Sequence, residues 1–257
     1  MKKTYVVNGA AHRGFGETTA RQLIAAGCKV IGLFGKSDAD NAKALSQEFP
    51  SASLELLGID VTDLHDLKQK LRTITCQLDG FINAEFMFEM ERVNDFDFVL
   101  SQRLFTANFY APLMIATELK KQMNKGSAVV MVTSTESERG SFGGVTYAAS
   151  KAAMHNLIKS LACNWGRDQV RVNAVAAGWI GGEMDTDGPF EVSMKITPLG
   201  RLGRPTEVAD AIEFLLSERA SFVNATVLFL DGGYLSVDDI AKYEYESSKG
   251  QENNEKK

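Results

Sequence analysis

Seven short apolar runs, separated by longer segments with helical spacing, constrain this chain more than any single motif does. The runs are TYVVN (4–8), KVIGLF (29–34), SLELLGID (53–60), GFIN (80–83), SAVVMVTS (127–134), VRVNAVAAG (170–178) and ATVLFLDGG (225–233). Between them, 17–27, 38–48, 63–76, 98–124, 147–165 and 206–217 carry helix-like patterns. Strand followed by helix, repeated in this way, implies parallel strands joined by right-handed crossovers. Strands that are apolar almost throughout fit a sheet covered on both faces. Such a chain folds as an α/β, doubly wound domain of about seven parallel strands with helices on both sides.

No compositional break interrupts the pattern before residue 235, so 1–235 is expected to be one domain. Beyond it, ESSKGQENNEKK (246–257) is polar and nearly free of apolar residues, and 236–257 is expected to be a disordered tail. The net charge of −5 gives no basic footprint for nucleic acid. Cys28, Cys76 and Cys163 are scattered, form no C-x-x-C pair and suit a reducing compartment. His12, His65 and His155 share no ligand-like spacing, so no metal is expected. No run approaches the roughly 20 apolar residues of a membrane span. MKK leads straight into TYVVNGA, too short an apolar stretch for a signal peptide, so the chain is expected in the cytoplasm.

NGAAHRGFG (8–16) joins the first strand to the first helix. Its glycines, Gly9, Gly14 and Gly16, depart from the familiar G-x-G-x-x-G but serve the same physics. They allow a tight turn and close approach of backbone to a pyrophosphate at a helix N-terminus. Placed there, the turn points to a dinucleotide in a Rossmann-type fold. The second strand ends in Leu33, Phe34, Gly35 and Lys36, with no carboxylate before Asp38. Arg13 and Lys36 are instead available to a 2′-phosphate, which favours NADP(H). Asp60, after the third strand, can accept from an adenine amino group, or Asp60 or Asp63 can cap the next helix.

Tyrosine four residues before lysine occurs twice, as YAASK (147–151) and YESSK (245–249). Residues i and i+4 share a helical face, so Tyr147 and Lys151 can point into one cleft, with Thr146 available as a cap. A cation near a phenol favours the phenolate and suits it to exchange a proton with a carbonyl or alcohol oxygen. Thirteen residues upstream, Ser134 ends the fifth strand at the carboxyl edge, where doubly wound folds place ligands. Asn108 lies within a helix, where asparagine is a poor choice. YESSK has none of this company and is assigned to the tail.

These residues make the chain resemble the short-chain dehydrogenase/reductase family, in particular the branch of 3-oxoacyl-acyl-carrier-protein reductases and ketoreductases. The resemblance spans about residues 4–235. It rests on NGAAHRGFG, Asp60, Asn108, Ser134, YAASK, VRVNAVAAGW, PLGRLGRPTEVADAIEFLLS and LDGGY. It implies that Tyr147 is the general acid, that Ser134 orients the carbonyl, and that Lys151 lowers the tyrosine pKa and binds the nicotinamide ribose. Asn108 would open its helix to hold a relay water. Gly9, Arg13, Gly14, Phe15, Gly16, Lys36, Asp60, Val61, Asn83, Gly178 and Ile180 would contact NADP(H), with Tyr147 and Lys151.

Departures from the pattern are few. Asn8 replaces a threonine, INAEF (82–86) replaces N-N-A-G, and Ala177 stands where proline is usual. A threonine expected shortly after is lost to Gly181–Gly182–Glu183. Glu85 or Phe86 would therefore stand beside the cofactor ribose in place of a small residue. WIGGEMDTDGPFEVSMKITPLG (179–200) suits a substrate-covering loop, with Trp179, Met184, Phe190 and Met194 as an apolar wall. Lys125 and Arg167 are candidates to meet an acidic carrier protein. The substrate is expected to be a carbonyl compound, free or carrier-bound, and the assembly a homo-oligomer, tetramer or dimer. A rival expectation is a non-catalytic NADP(H)-binding sensor or scaffold protein. An enoyl reductase is disfavoured, because related enzymes of that kind place the lysine farther from the tyrosine.

Overall fold

The computed structural model describes residues 2–182 and 190–255. The seven expected strands are present: β1 (Thr4–Asn8), β2 (Lys29–Phe34), β3 (Leu54–Gly58), β4 (Leu78–Asn83), β5 (Met123–Ser134), β6 (Arg171–Ala177) and β7 (Val227–Leu230). They form one parallel sheet in the order β3-β2-β1-β4-β5-β6-β7. The order reverses direction between β1 and β4, whose register pairs Asn8 with Asn83. That is the switch point at which a crevice opens at the carboxyl edge of a doubly wound sheet.

The helices are α1 (Phe15–Ala25), α2 (Ala39–Glu48), α3 (Leu64–Leu71), α4 (Phe98–Phe105), α5 (Ala111–Leu119), α6 (Val145–Trp165), α7 (Phe190–Ile196), α8 (Pro205–Leu216) and α9 (Asp239–Glu255). Side chains alternate across the strands and feed two cores. Val7, Val130 and Val175 join Leu23, Ile212 and Leu216 on one face. Val6, Val129 and Met131 join Leu67, Ile115, Met154 and Ile158 on the other. Burial on both sides explains the near-continuous apolar runs of β1, β2, β4 and β6, whereas β7, at the sheet edge, leaves Leu228 and Phe229 exposed.

Two expectations need correction. The single helix over 98–124 is interrupted by a π-helical turn at Thr106–Tyr110 and ends at Leu119, because β5 begins as early as Met123. The tail expected to be disordered is helical as α9. Asp238 caps it, accepting from the backbone N–H groups of Ile240 and Ala241. Lys242 Nζ donates to the Lys195 carbonyl at 3.0 Å, tying α9 to α7. The capping aspartate favours the helix start, and residues 239–245 are exposed or half-buried. Tyr245 of YESSK lies on it, exposed.

Ile115 is fully buried and Phe222 fully exposed. Ile115→Ala should destabilise the fold by about 2–5 kcal/mol. Phe222→Ala should change stability by less than about 0.5 kcal/mol. Urea unfolding of both variants checks the pair.

Candidate active site

The site is assembled at the carboxyl edge of the sheet, where the turn after β1, the segment after β4, the end of β5 and the start of α6 converge. In the turn, Gly9 has φ +85° and Gly14 φ +112°, conformations open to glycine. A Cβ on Gly16 would stand 2.3 Å from the Gly9 carbonyl oxygen, so only glycine fits there. Gly14 precedes α1 without any side-chain cap. Uncapped backbone N–H groups at a helix start are what a pyrophosphate requires. Arg13 and Lys36 are exposed at this end. Phe15 is buried and its ring stacks on Phe86 at 6.1 Å between centroids.

Asn8 and Asn83 are both buried at the ends of β1 and β4. Asn8 Nδ2 donates to Asn83 Oδ1 at 2.8 Å, and Asn83 Nδ2 donates to the Glu85 carbonyl at 3.3 Å. Asn8 thus does hydrogen-bond in place of the usual threonine. Asp63, not Asp60, caps α3. The Asp60 carboxylate accepts from the Thr62 hydroxyl at 2.6 Å and its N–H at 2.8 Å, which hold its pKa below the usual range. Val61, partly buried, packs against the second core.

On α6, Lys151 is buried although it is a lysine, and its Nζ donates to the Val132 carbonyl at 3.4 Å. The same Nζ lies 5.5 Å from the centre of the Tyr147 ring, so the expected pair does share one face. Ser134 ends β5, and its hydroxyl accepts from the Glu136 N–H at 3.1 Å. Thr146 is not the cap expected of it. It lies inside the first turn, where its N–H donates to the Glu91 carboxylate at 2.6 Å and its hydroxyl bonds the same group. Glu91, from the segment after β4, thereby places a negative charge at the start of the helix that carries Tyr147.

Asn108 is buried within the π-helical turn, which widens the helix at this point. Its Nδ2 donates to the Met87 carbonyl at 2.7 Å and its Oδ1 accepts from the Met87 N–H at 2.9 Å. Asn108 therefore clamps the segment after β4, a role the sequence did not announce. A Cβ on Gly178 would meet Asp231 Cα at 2.8 Å, so close backbone approach requires the glycine. Ile180 is buried in the core and bridges Gly203. Met184 and the side chain of Phe190 lie outside the described residues.

Lys125 and Arg167 do not stand at the site. Lys125 is at the start of β5, about 30 Å of strand from Ser134. Arg167 follows α6, next to Gln169, whose carbonyl accepts from the Gly126 N–H at 2.9 Å. Helices antiparallel to the strands end at the amino edge, and both cations are there.

One grouping was not foreseen. His12, in the glycine turn, lies 3.6 Å from an Asp38 oxygen and 4.0 Å from a Glu85 oxygen. Burial pushes the Glu85 carboxyl up to about 7; His12 opposes the shift and Asp38 adds to it. The only hint in the sequence was Glu85 standing where a small residue is usual. Phe86 lies beyond it, with its ring 5.5 Å from His12 and 6.5 Å from Tyr147, and Lys151 Nζ is 5.9 Å away.

A family model described as enoyl-(acyl carrier protein) reductase matches residues 9–235. The chain is 31% identical over 242 residues to the uncharacterised oxidoreductase YmfI of Bacillus subtilis (strain 168), covering 91% of this chain and 99% of that one. The chain belongs to the short-chain dehydrogenase/reductase family. As a member it is an NAD(P)-dependent oxidoreductase. It is 29% identical to the 3-oxoacyl-[acyl-carrier-protein] reductase FabG of Aggregatibacter actinomycetemcomitans, over 91% of this chain and 99% of that one. Among solved structures, BdcA in complex with NADPH superposes with a TM-score of 0.82 at 27% identity, over 90% of this chain and 93% of that one. Among the described residues, no helix is long and apolar enough to cross a membrane.

The Glu85 shift has a consequence for stability. The folded state holds the Glu85 proton up to about 7, whereas the ordinary value is 4.5. Between those values the folded state binds more protons than the unfolded one, so stability falls as pH rises through that window. Glu85→Gln should remove this fall. Denaturation midpoints at pH 5 and pH 8 should converge in the variant and separate in the wild type.

Proposed function

We propose that this short-chain dehydrogenase/reductase is an NADPH-dependent ketoreductase that reduces a 3-oxoacyl thioester or a similar ketone to the alcohol. The pairing of Tyr147 and buried Lys151 on one face of α6, at the sheet edge where β5 ends in Ser134, carries this reading. In it, Tyr147 donates the proton to the carbonyl oxygen and Lys151 keeps the phenol acidic. The Ser134 hydroxyl, which accepts from a backbone N–H, has its own proton available to hold the carbonyl. Asn108 keeps the segment after β4 in place beside the pair. The nicotinamide supplies hydride when bound; the chain supplies orientation and the proton.

The glycine turn, the uncapped start of α1 and Asn83 would hold the dinucleotide. The preference for NADPH rests on Arg13 and Lys36, the exposed cations at the turn and after β2. Asp38 is turned towards His12, which leaves these two to meet a 2′-phosphate. FabG, with its 3-oxoacyl substrate, and BdcA, with NADPH, are consistent with both halves of the proposal.

NADPH oxidation against 3-oxoacyl thioesters and small diketones tests the reading. Tyr147→Phe should lower kcat by about 100-fold or more while NADPH binding stays within about threefold, the scale of a lost general acid. NADPH binding by the wild type with no turnover of any carbonyl would favour the sensor instead. Arg13→Ala should raise the NADPH KM about tenfold, the scale of one lost charge-assisted contact, and leave NADH unchanged. An unaltered NADPH-to-NADH ratio would remove Arg13 from cofactor choice.

A further inference from the structure

The glycine turn and the Tyr147–Lys151 pair are bridged by one side chain, Phe86. Its ring stacks on Phe15 at 6.1 Å, meets His12 edge-on at 5.5 Å, and faces Tyr147 at 6.5 Å and Lys151 Nζ at 5.9 Å. A dinucleotide with its pyrophosphate on the turn and its reacting ring beside Tyr147 has to cross the place where Phe86 stands. Glu85 stands next to it with its carboxyl towards the turn. The groups that face this carboxyl are His12 from the turn, Asp38 after β2 and Lys151 from α6. Glu85 Oε2 and Asp38 Oδ2 are both buried without a hydrogen-bond partner.

The two residues differ in what they can do. The backbone of Glu85 is fixed: its carbonyl accepts from Asn83, the preceding Ala84 N–H donates to Asn8 at 2.9 Å, and its nitrogen packs 3.0 Å from the place of a Cβ on Gly9. The carboxyl is therefore carried on a backbone anchored beside the turn, 4.0 Å from His12. Phe86 is partly buried, packed against the first core and in ring contact with Phe15, His12 and Tyr147, so rotation of its side chain is the movement that would clear the groove. We propose that Glu85 and Phe86 form a plug across the nucleotide groove, which binding opens by turning Phe86 aside and protonating Glu85. A pyrophosphate set beside two carboxylates is repelled by both, and one proton taken up by Glu85 removes half of that charge. Burial already holds the Glu85 proton near neutrality, so only a modest further shift is needed. The proposal rests on the turn being a nucleotide site, as in the proposed function, but not on any substrate.

Binding of NADPH to the full chain, read by calorimetry at pH 6.5 and 8.5 in two buffers of different ionisation enthalpy, tests it. Wild-type affinity should weaken about ten- to thirtyfold more across that range than affinity of Glu85→Gln, as expected for uptake of one proton. Only the difference between the wild-type and Glu85→Gln profiles reads Glu85. The buffers should report net uptake by the wild type near pH 8 in excess of the variant. Phe86→Ala should raise the association rate about tenfold, as expected when a conformational barrier is removed, and keep the wild-type pH profile. Parallel pH profiles in wild type and Glu85→Gln, wild-type affinity that improves with pH, or an unchanged association rate in Phe86→Ala would overturn the plug while leaving a nucleotide site standing. Failure of wild type and both variants to bind NADPH or NADH would remove the plug and the proposed function together.

Discussion

The pairing of β1 with β4 is the constraint on which the rest depends. Strands on either side of that pair run outwards in opposite directions, so the connections that follow β1 and β4 lead to opposite faces and leave a crevice between them. Asn8 and Asn83 sit in register at the two strand ends and bond through their side chains, which fixes how far the crevice opens. The glycine turn begins one residue after Asn8, and the Glu85–Phe86 segment two residues after Asn83. Both walls of the groove are thus set by one strand pair, with no room for either to drift.

The proton-transfer side of the site is built from the same edge by different means. Tyr147 and Lys151 owe their common face to helical spacing, but α6 begins with Gly144, which offers no side-chain cap. The carboxylate of Glu91 supplies the missing acceptor at Thr146, and Ser101 of α4 approaches the same hydroxyl at 2.9 Å. Asn108 then holds Met87 by both its backbone groups. The segment 84–91 consequently touches the glycine turn, the tyrosine, the π-helical turn and the α6 N-terminus. A change in that segment acts on the cofactor side and on the proton side together.

The parts legible in the sequence were those governed by periodicity or by one residue type doing one job. Buried parallel strands wrote themselves as apolar runs, the turn as glycines, and the α6 pair as a spacing of four. What escaped depended on partners remote in sequence. The π-helical turn at Thr106–Tyr110 has no periodic signature; its asparagine was conspicuous, its partner Met87 was not. The helical tail was misjudged because apolar content was weighed and the Asp238 cap was not. Lys125 and Arg167 are suggested only by the family resemblance, and a long strand and a long helix carry them to the far edge. His12 has no spacing that marks it in the sequence, because its partners Asp38 and Glu85 reach it from other strands' ends.

In the proposed plug, Glu85 is the residue at which stability and binding pull in one direction rather than in opposite ones. A buried carboxyl whose Oε2 lacks a hydrogen-bond partner weakens the fold above neutrality, and in the proposal the same negative charge repels a pyrophosphate from the turn. Proteins commonly accept strain at a site because function gains from it. Here neither the folded state nor simple nucleotide affinity gains from the charge at high pH. Both improve when the group carries its proton. On the proposed reading, Glu85 makes the folded, nucleotide-ready groove depend on pH near 7, which a glycine or a glutamine at the same position could not do.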